Sequence, residues 1–586
     1  MVRTSTSLGP IVTLLGSLVA CNGETAAARD AGSDGFVMRD LGPEAPPEAP
    51  VTPPVGYRPC RDNVRDPEGG FCDATSLWGM WADFAPERRG AVTIADLNVD
   101  GIPEVLLSVN DGIPLTVLTA RVGFWENVTA TWGLTPYRAL FSVAAADLDG
   151  DGDPDLVLEQ EHGSATVLRN TGSAFEAVTT LDQDGQIVAS WLVWDIDQDG
   201  LLDLVGGIER QDGDCPNPFG IPGCPGRIAA WRQVAPWSFQ EMPVTAPRRR
   251  VQGLRMHDWT GDGRDELLVT NDIGTYDGGN LLLRVEATAG GGFALRDATA
   301  GSGFDQELYG MGIGLIDIDE DGRNEVVLTN VGHNVVLTGR QGLSRDVNLL
   351  FTREAYGMVI PGEMPTLRSF DLENPRERAW GRFQDLYLDP RSPRFPTTKW
   401  APVVFDYDAD GREDMYIPAG SVHTAPVFPE PDRQAGVLMH GTGGPMVDVT
   451  DAMALRERMN SYGAAAADLD LDGDLDLAVF HAGEGTQLSG LRVLRNDTEG
   501  GHMLTVVARG RGTAREGIGA QVEVHLGART LRRRVDGNLS LYASVPHVVH
   551  VGLGEATMAD EVVVHFPSGR TSRRERVPAG RVVVEE

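Results

Sequence analysis

DLDLDGDLDL, residues 468–477, sets carboxylates at positions 1, 3, 5 and 9 of a short loop and a glycine at position 6. Six further stretches keep the same register: DLNVDGIPEV from Asp96, DLDGDGDPDL from Asp147, DIDQDGLLDL from Asp195, DWTGDGRDEL from Asp258, DIDEDGRNEV from Asp317 and DYDADGREDM from Asp406. Oxygen side chains in this order can wrap a hard cation while the glycine takes the sharp turn. Carboxylates about 5 Å apart repel by roughly 3 kcal/mol per pair at an effective dielectric near 20, so a bound divalent ion relieves the loop.

The expected ligands are Asp96, Asn98, Asp100 and Glu104; Asp147, Asp149, Asp151 and Asp155; Asp195, Asp197, Asp199 and Asp203; and Asp258, Thr260, Asp262 and Glu266. The remaining three sets are Asp317, Asp319, Asp321 and Glu325; Asp406, Asp408, Asp410 and Asp414; and Asp468, Asp470, Asp472 and Asp476. Up to seven Ca²⁺ ions are expected. Zn²⁺ is disfavoured because the ten-residue loops contain no His or Cys, and Mg²⁺ because a flexible multi-oxygen cage suits the larger ion. Thr260 lacks a charge, which makes the loop at Asp258 the weakest candidate.

An EF-hand needs a bidentate Glu at position 12, where this chain has Leu107, Leu158, Gly206, Val269, Leu328, Ile417 and Val479. The flanks instead read as short apolar strands, such as AVTIA from Ala91, WLVW from Trp191, LLVT from Leu267 and LAVF from Leu477. Each loop is therefore the tip of a β-hairpin. Successive first Asp residues lie 51, 48, 63, 59, 89 and 62 positions apart, the length of a four-stranded blade with variable loops. The fold class is all-β, a seven-bladed β-propeller over 59–499 followed by a small C-terminal β-domain over 500–586.

A second element ends in Thr75, Thr129, Thr179, Thr299 and Thr450, 16 to 21 residues ahead of the next Asp loop. It reads as the outer strand of the preceding blade. The first copy, Phe71 to Thr75, has no preceding blade, so it is expected to pair with the last one and close the ring. Cys60 with Cys72 would reinforce that seam, and Cys215 with Cys224 would restrain a Pro/Gly-rich loop; four free thiols are the alternative.

The 586 residues carry a formal charge of −35, with 71 Gly and 36 Pro, which suits many short strands and turns and repels nucleic acid. Residues 1–20 combine one Arg with an apolar run too short to span a bilayer, an export signal. LVAC, ending at Cys21, resembles the bacterial lipobox, which implies lipid on Cys21 and anchoring to a membrane. The expected location is outside the cytoplasm, at the bacterial outer membrane, in the periplasm or at the cell surface. Residues 21–58 are rich in Ala, Gly, Pro and acids and read as an extended tether. The stretch 332–400 exceeds what a blade needs and is expected to be an insertion.

SYGAAAADLDLDGDLDLAVF from Ser461 resembles the FG-GAP/VCBS repeats of integrin-type propellers. REGIGAQVEV at Arg515, HVGLGEA at His550 and HFPSGR at His565 resemble the ASPIC/UnbV domain of cartilage-acidic-protein-like chains, with Phe566 where that family usually has Trp. The tail holds twelve Arg against nine acids, and Arg532, Arg533 and Arg534 either dock on the acidic ring or an anionic ligand, or form a solvated strand face. The resemblance implies adhesion to, or recognition of, an extracellular protein or polysaccharide. Nucleophile elbows, zinc-protease helices and Walker loops are missing. A carboxylate hydrolase or lyase acting on polysaccharide through the propeller channel is the alternative, and a structural part in an envelope assembly is the third reading.

Overall fold

The strands that flank the Asp loops carry apolar residues on both faces rather than alternating. Gly90–Ala95 and Glu104–Val109 are buried along their whole length, as are Ser461–Ala467 and Asp476–His481. Strands of this kind must be covered on both sides, which happens when sheets stack face to face. The computed structural model meets that demand with sheets arranged as a ring. It describes most of residues 57–586; residues 1–56, 338–348, 351–397 and 422–433, with several single positions and shorter loop segments, fall outside the description. The export signal, Cys21, the tether up to residue 56 and most of the insertion expected at 332–400 lie outside the described residues.

Among the described residues, seven sheets of four or five strands each carry one Asp loop, between the innermost strand and the next. The innermost strands touch in sequence: Gly90–Ala95, Val143–Ala146, Ile187–Trp194, Val251–His257, Gly310–Ile316, Val403–Phe405 and Ser461–Ala467, which returns to Gly90–Ala95. The ring is closed by the strand Phe71–Asp73, antiparallel to Ser489–Asn496 with Phe71 opposite Asn496. Buried Arg495 clamps the seam, donating to Asp497 and to the carbonyls of Asp62 and Val64. Disulfides join Cys60 to Cys72 beside this seam and Cys215 to Cys224. At the start of the described residues Tyr57 is buried and Arg58 donates to the carbonyl of Gly69 at 2.7 Å.

The recurring Thr has a uniform task in four blades. The hydroxyl oxygens of Thr75, Thr129, Thr299 and Thr450 accept from the amides of Val493, Val117, Leu282 and Leu438 on the neighbouring third strand. Thr179 departs from this. It lies inside the longer outer strand Phe175–Asp182, next to a register shift, and donates to the carbonyl of Trp237.

The C-terminal domain has two sheets. One pairs Met503–Arg509 with Val549–Gly552 and Gly580–Glu585; the other orders Arg529–Arg534, Gln521–Leu526, Met558–His565 and Thr571–Pro578. Their alternating apolar residues, among them Val506, Val522, Val551, Val562 and Val584, form one core. This domain does not end at its own surface. Its segment Ala543–Ser544 pairs in parallel with the innermost strand of the first blade, opposite Val92 and Thr93. Leu541, Tyr542 and Ala543 share one buried cluster with Ala91, Ala189, Ile313, Trp400 and Tyr462, contributed from around the ring. The channel is thus filled from the Asp-loop face by a piece of the C-terminal domain. Gly463 makes room for it, since a Cβ there would lie 2.6 Å from the carbonyl oxygen of Tyr542.

Candidate metal centre

All seven Asp loops follow one backbone course, held by two recurring hydrogen bonds. The amide of the position-6 glycine donates to the first Asp, from Gly101 to Asp96 (3.0 Å), Gly152 to Asp147, Gly200 to Asp195, Gly263 to Asp258, Gly322 to Asp317, Gly411 to Asp406 and Gly473 to Asp468 (3.2 Å). The position-9 carboxylate reaches back to the position-2 amide, from Leu97 to Glu104 (2.7 Å), Leu148 to Asp155, Ile196 to Asp203, Trp259 to Glu266, Ile318 to Glu325, Tyr407 to Asp414 and Leu469 to Asp476 (3.1 Å).

The seven glycines have φ between 85° and 103°. Sequence reasoning missed a second left-handed position. Position 4 has positive φ in every loop, at Val99, Gly150, Gln198, Gly261, Glu320, Ala409 and Leu471. For the five residues with a side chain this costs roughly 1–2 kcal/mol each, sustained because the braces on either side fix the backbone. Nothing in the side chains of Val, Gln or Leu announces it.

The result is convergence of carboxylates. Ligand oxygens of Asp147, Asp149 and Asp155 lie within 4.8 Å of one another, as do those of Asp195, Asp197 and Asp199, of Asp317, Asp319 and Glu325, and of Asp406, Asp408 and Asp410. Burial, with repulsion between neighbours, pushes Asp468 up to about 7, Asp470 to about 6, and Asp155, Asp203 and Glu325 to about 8. Burial and the adjacent Glu516 raise Asp147 to about 7, while Asp406 and Asp476 stand well above the usual carboxylate range.

One oxygen each of Asp197, Asp317, Asp408 and Asp468 is buried with no hydrogen-bond partner. Orphaned anionic oxygens at the centre of an acidic loop are what a hard cation satisfies, so the residues fit Ca²⁺. At Asp258 the fit is poorer, because the Thr260 hydroxyl already donates to Glu266 at 3.0 Å and Arg284 lies 3.4 Å from the same carboxylate.

One histidine does reach a loop, from outside its ten residues. His440, on the third strand of the sixth blade, brings Nδ1 to 3.1 Å from Asp414 and 3.6 Å from Asp408. The hairpin Asp414–Ile417 to Val437–His440 folds it back beside the loop, an approach that the ten-residue window could not reveal.

The C-terminal domain sits on the same face. Arg534 forms a two-pronged ion pair with Asp265 and lies 4.5 Å over the Trp194 ring, Arg533 pairs with Glu413 at 3.1 Å, and Arg529 with Glu320 at 2.7 Å. Glu516 accepts from the amide of Asp147, and the amide of Gly552 donates to Asp406 at 3.1 Å. Arg533 and Arg534 therefore dock on the acidic ring, while Arg532 stays half-exposed, paired with Glu523 of its own domain.

At the ends of the second strands, away from the Asp loops, lies another acidic group. Glu159 is 1% exposed, with neither oxygen in a well-formed hydrogen bond, and burial and then Glu209 hold it well above the carboxylate range despite partial relief from the Val188 amide. Burial and the same Glu209 raise Asp272 to about 7. The floor is aromatic: Tyr542 is 5.4 Å from Trp400 and 5.6 Å from Phe141, and Arg89 lies 5.5 Å over Tyr462.

Residues 510–585 match the ASPIC and UnbV family, and residues 96–158 and 147–206 match the FG-GAP-like repeat. Cartilage acidic protein 1 of Mus musculus is 25% identical over 515 residues, covering 82% of this chain and 71% of that protein. Among solved structures, an Agrocybe aegerita lectin that recognises non-reducing terminal N-acetylglucosamine superposes with a TM-score of 0.33 at 16% identity, over 70% of this chain and 94% of the lectin. A Penicillium chrysogenum α-L-arabinanase complexed with arabinobiose gives 0.33 at 9% identity, over 71% and 96%.

Proposed function

We propose that this chain, which joins FG-GAP-like repeats to an ASPIC and UnbV domain, is a calcium-stabilised module for adhesion or recognition, exported and held to a membrane by lipid on Cys21, that binds an extracellular protein or polysaccharide. The observation that carries this reading is the filling of the channel by Leu541, Tyr542 and Ala543. With the C-terminal domain on one face and its segment in the channel, what the molecule offers a partner is mainly outer surface. Bound Ca²⁺ would neutralise the carboxylates at the hairpin tips, and the chain's own braces already fix those carboxylates in place. The metal's part is then in holding the blades rather than in reaction.

The test is a binding screen of residues 22–586 against glycans and envelope proteins, run in calcium and again in chelator. A calcium-dependent ligand supports the module; a folded protein that binds nothing in either condition removes the reading. One observation favours a second reading, a carboxylate enzyme acting on polysaccharide: the raised acids Glu159 and Asp272 around Glu209 at the other mouth. Polysaccharide turnover by the intact chain that is lost in Glu209→Gln would establish it.

A further inference from the structure

In several blades the third strand carries, beside the position-9 carboxylate, a residue whose side chain can reach the Asp loop. The pairing of Leu156 with Leu168 brings Arg169 there in the second blade, that of Leu204 with Trp231 brings Arg232 in the third, and that of Leu477 with Leu494 brings Arg495 in the seventh. The first two arginines do the same thing. Arg169 holds Nε 3.3 Å from Asp149 and Nη2 3.3 Å from Asp151, and Arg232 holds Nε 2.5 Å from Asp197 and Nη2 2.5 Å from Asp199. Each guanidinium spans positions 3 and 5, the pair of carboxylates that a cation in the loop would share.

Arg495 is turned elsewhere. Its side chain is 3% exposed, and its guanidinium is held by Asp497, at 2.9 and 3.0 Å, and by the carbonyls of Asp62 and Val64 at 2.7 and 2.8 Å. The cation that does approach the loop at Asp468 is Arg65, which pairs with Asp474 at position 7 and lies 3.8 Å from Asp472 alone, so among the described residues no guanidinium there spans positions 3 and 5.

We infer that Arg169 and Arg232 are built-in counter-ions that compete with calcium for the loops at Asp147 and Asp195, whereas Asp497 parks Arg495 away from Asp470 and Asp472, so that the loop at Asp468 has no fork across positions 3 and 5. The inference rests on the calcium reading above. A guanidinium brings one positive charge and a planar fork that suits two carboxylate groups, so it relieves part of the repulsion that otherwise draws a divalent ion. An entering ion must displace it, and the loop binds more weakly by that amount. Arg169 and Arg232 are 43% and 23% exposed, so both can swing into solvent when displaced. The seven loops then fill over a range of calcium concentration instead of together.

The experiment is calorimetric titration of the full chain with calcium, comparing wild type with Arg169→Gln, Arg232→Gln and the double variant, all stripped with chelator. Both positions are on the surface of the ring, and the melting temperature in chelator checks that each variant is folded. Wild type should bind in at least two classes. The double variant should shift two ions from the weak class toward the tight one, with about threefold to fivefold higher affinity for each. Identical stoichiometry and affinities in wild type and double variant overturn the competition while leaving calcium binding intact. A wild type that binds no calcium overturns the calcium reading itself.

Discussion

The loops at Asp468 and Asp258 have the same backbone and different charge problems. Both have a left-handed residue at position 4, Leu471 or Gly261, and both use the same two braces, Gly473 to Asp468 with Leu469 to Asp476, and Gly263 to Asp258 with Trp259 to Glu266. In the first, all four ligand positions are aspartates, one buried oxygen of Asp468 is orphaned, and the nearby Arg65 pairs with Asp474 and lies 3.8 Å from Asp472. In the second, Thr260 replaces an acid, its hydroxyl caps Glu266, and Arg284 and Arg534 bring positive charge to Glu266 and Asp265. The backbone course is therefore the same whether position 3 is Asp470 or Thr260. On the calcium reading, what a cation would add is set by how much negative charge each loop leaves unbalanced.

The largest expected effect does not discriminate between the two loops. Chelation should lower the melting temperature by on the order of 10 °C, and an unchanged melting curve would end the calcium assignment. Next, Asp470→Ala with Asp472→Ala should cost about 2 kcal/mol in calcium, while Thr260→Ala with Asp262→Ala should cost well under 1 kcal/mol, measured by denaturant unfolding. Equal costs would break the comparison.

A third test uses pH. Carboxyls raised to about 6–8 in the fold, such as Asp468 and Asp155, bind protons that the unfolded chain releases near pH 4. The chelated protein should be most stable below about pH 4 as far as these groups go, and should lose that stability as pH rises toward 8. Calcium should flatten the decline, and a chelated protein that gains stability over this window would contradict the raised carboxyls. Smallest of all, Arg284→Gln should make the quiet loop at Asp258 respond to calcium, read as a few tenths of a kcal/mol of added calcium-dependent stability.

The Asp register, the glycine at position 6 and the strand that closes the ring were readable because each is a local pattern repeated at blade spacing. Phe71 to Thr75 stood out as an outer strand without a blade, and it pairs with Ser489–Asn496. Position 4 was unreadable because Val99, Gln198 and Leu471 are ordinary residues whose left-handed turn is imposed by the braces around them. His440 and Arg232 reach their loops across a hairpin, and their distance in sequence depends on how long that hairpin is. Leu541 to Ser544 lies between strands of the C-terminal domain, and its destination in the ring depends on a gap at Gly463 some eighty residues earlier.

The pairing of Phe71–Asp73 with Ser489–Asn496 also bears on biogenesis. Cys72 and Asp497 touch across 425 residues, so a strand made early in synthesis must wait, edge open, for most of the ring to follow. The segment that fills the channel emerges later still. A chain interrupted anywhere between residues 75 and 489 would leave strand edges unmatched, which makes this architecture sensitive to premature termination.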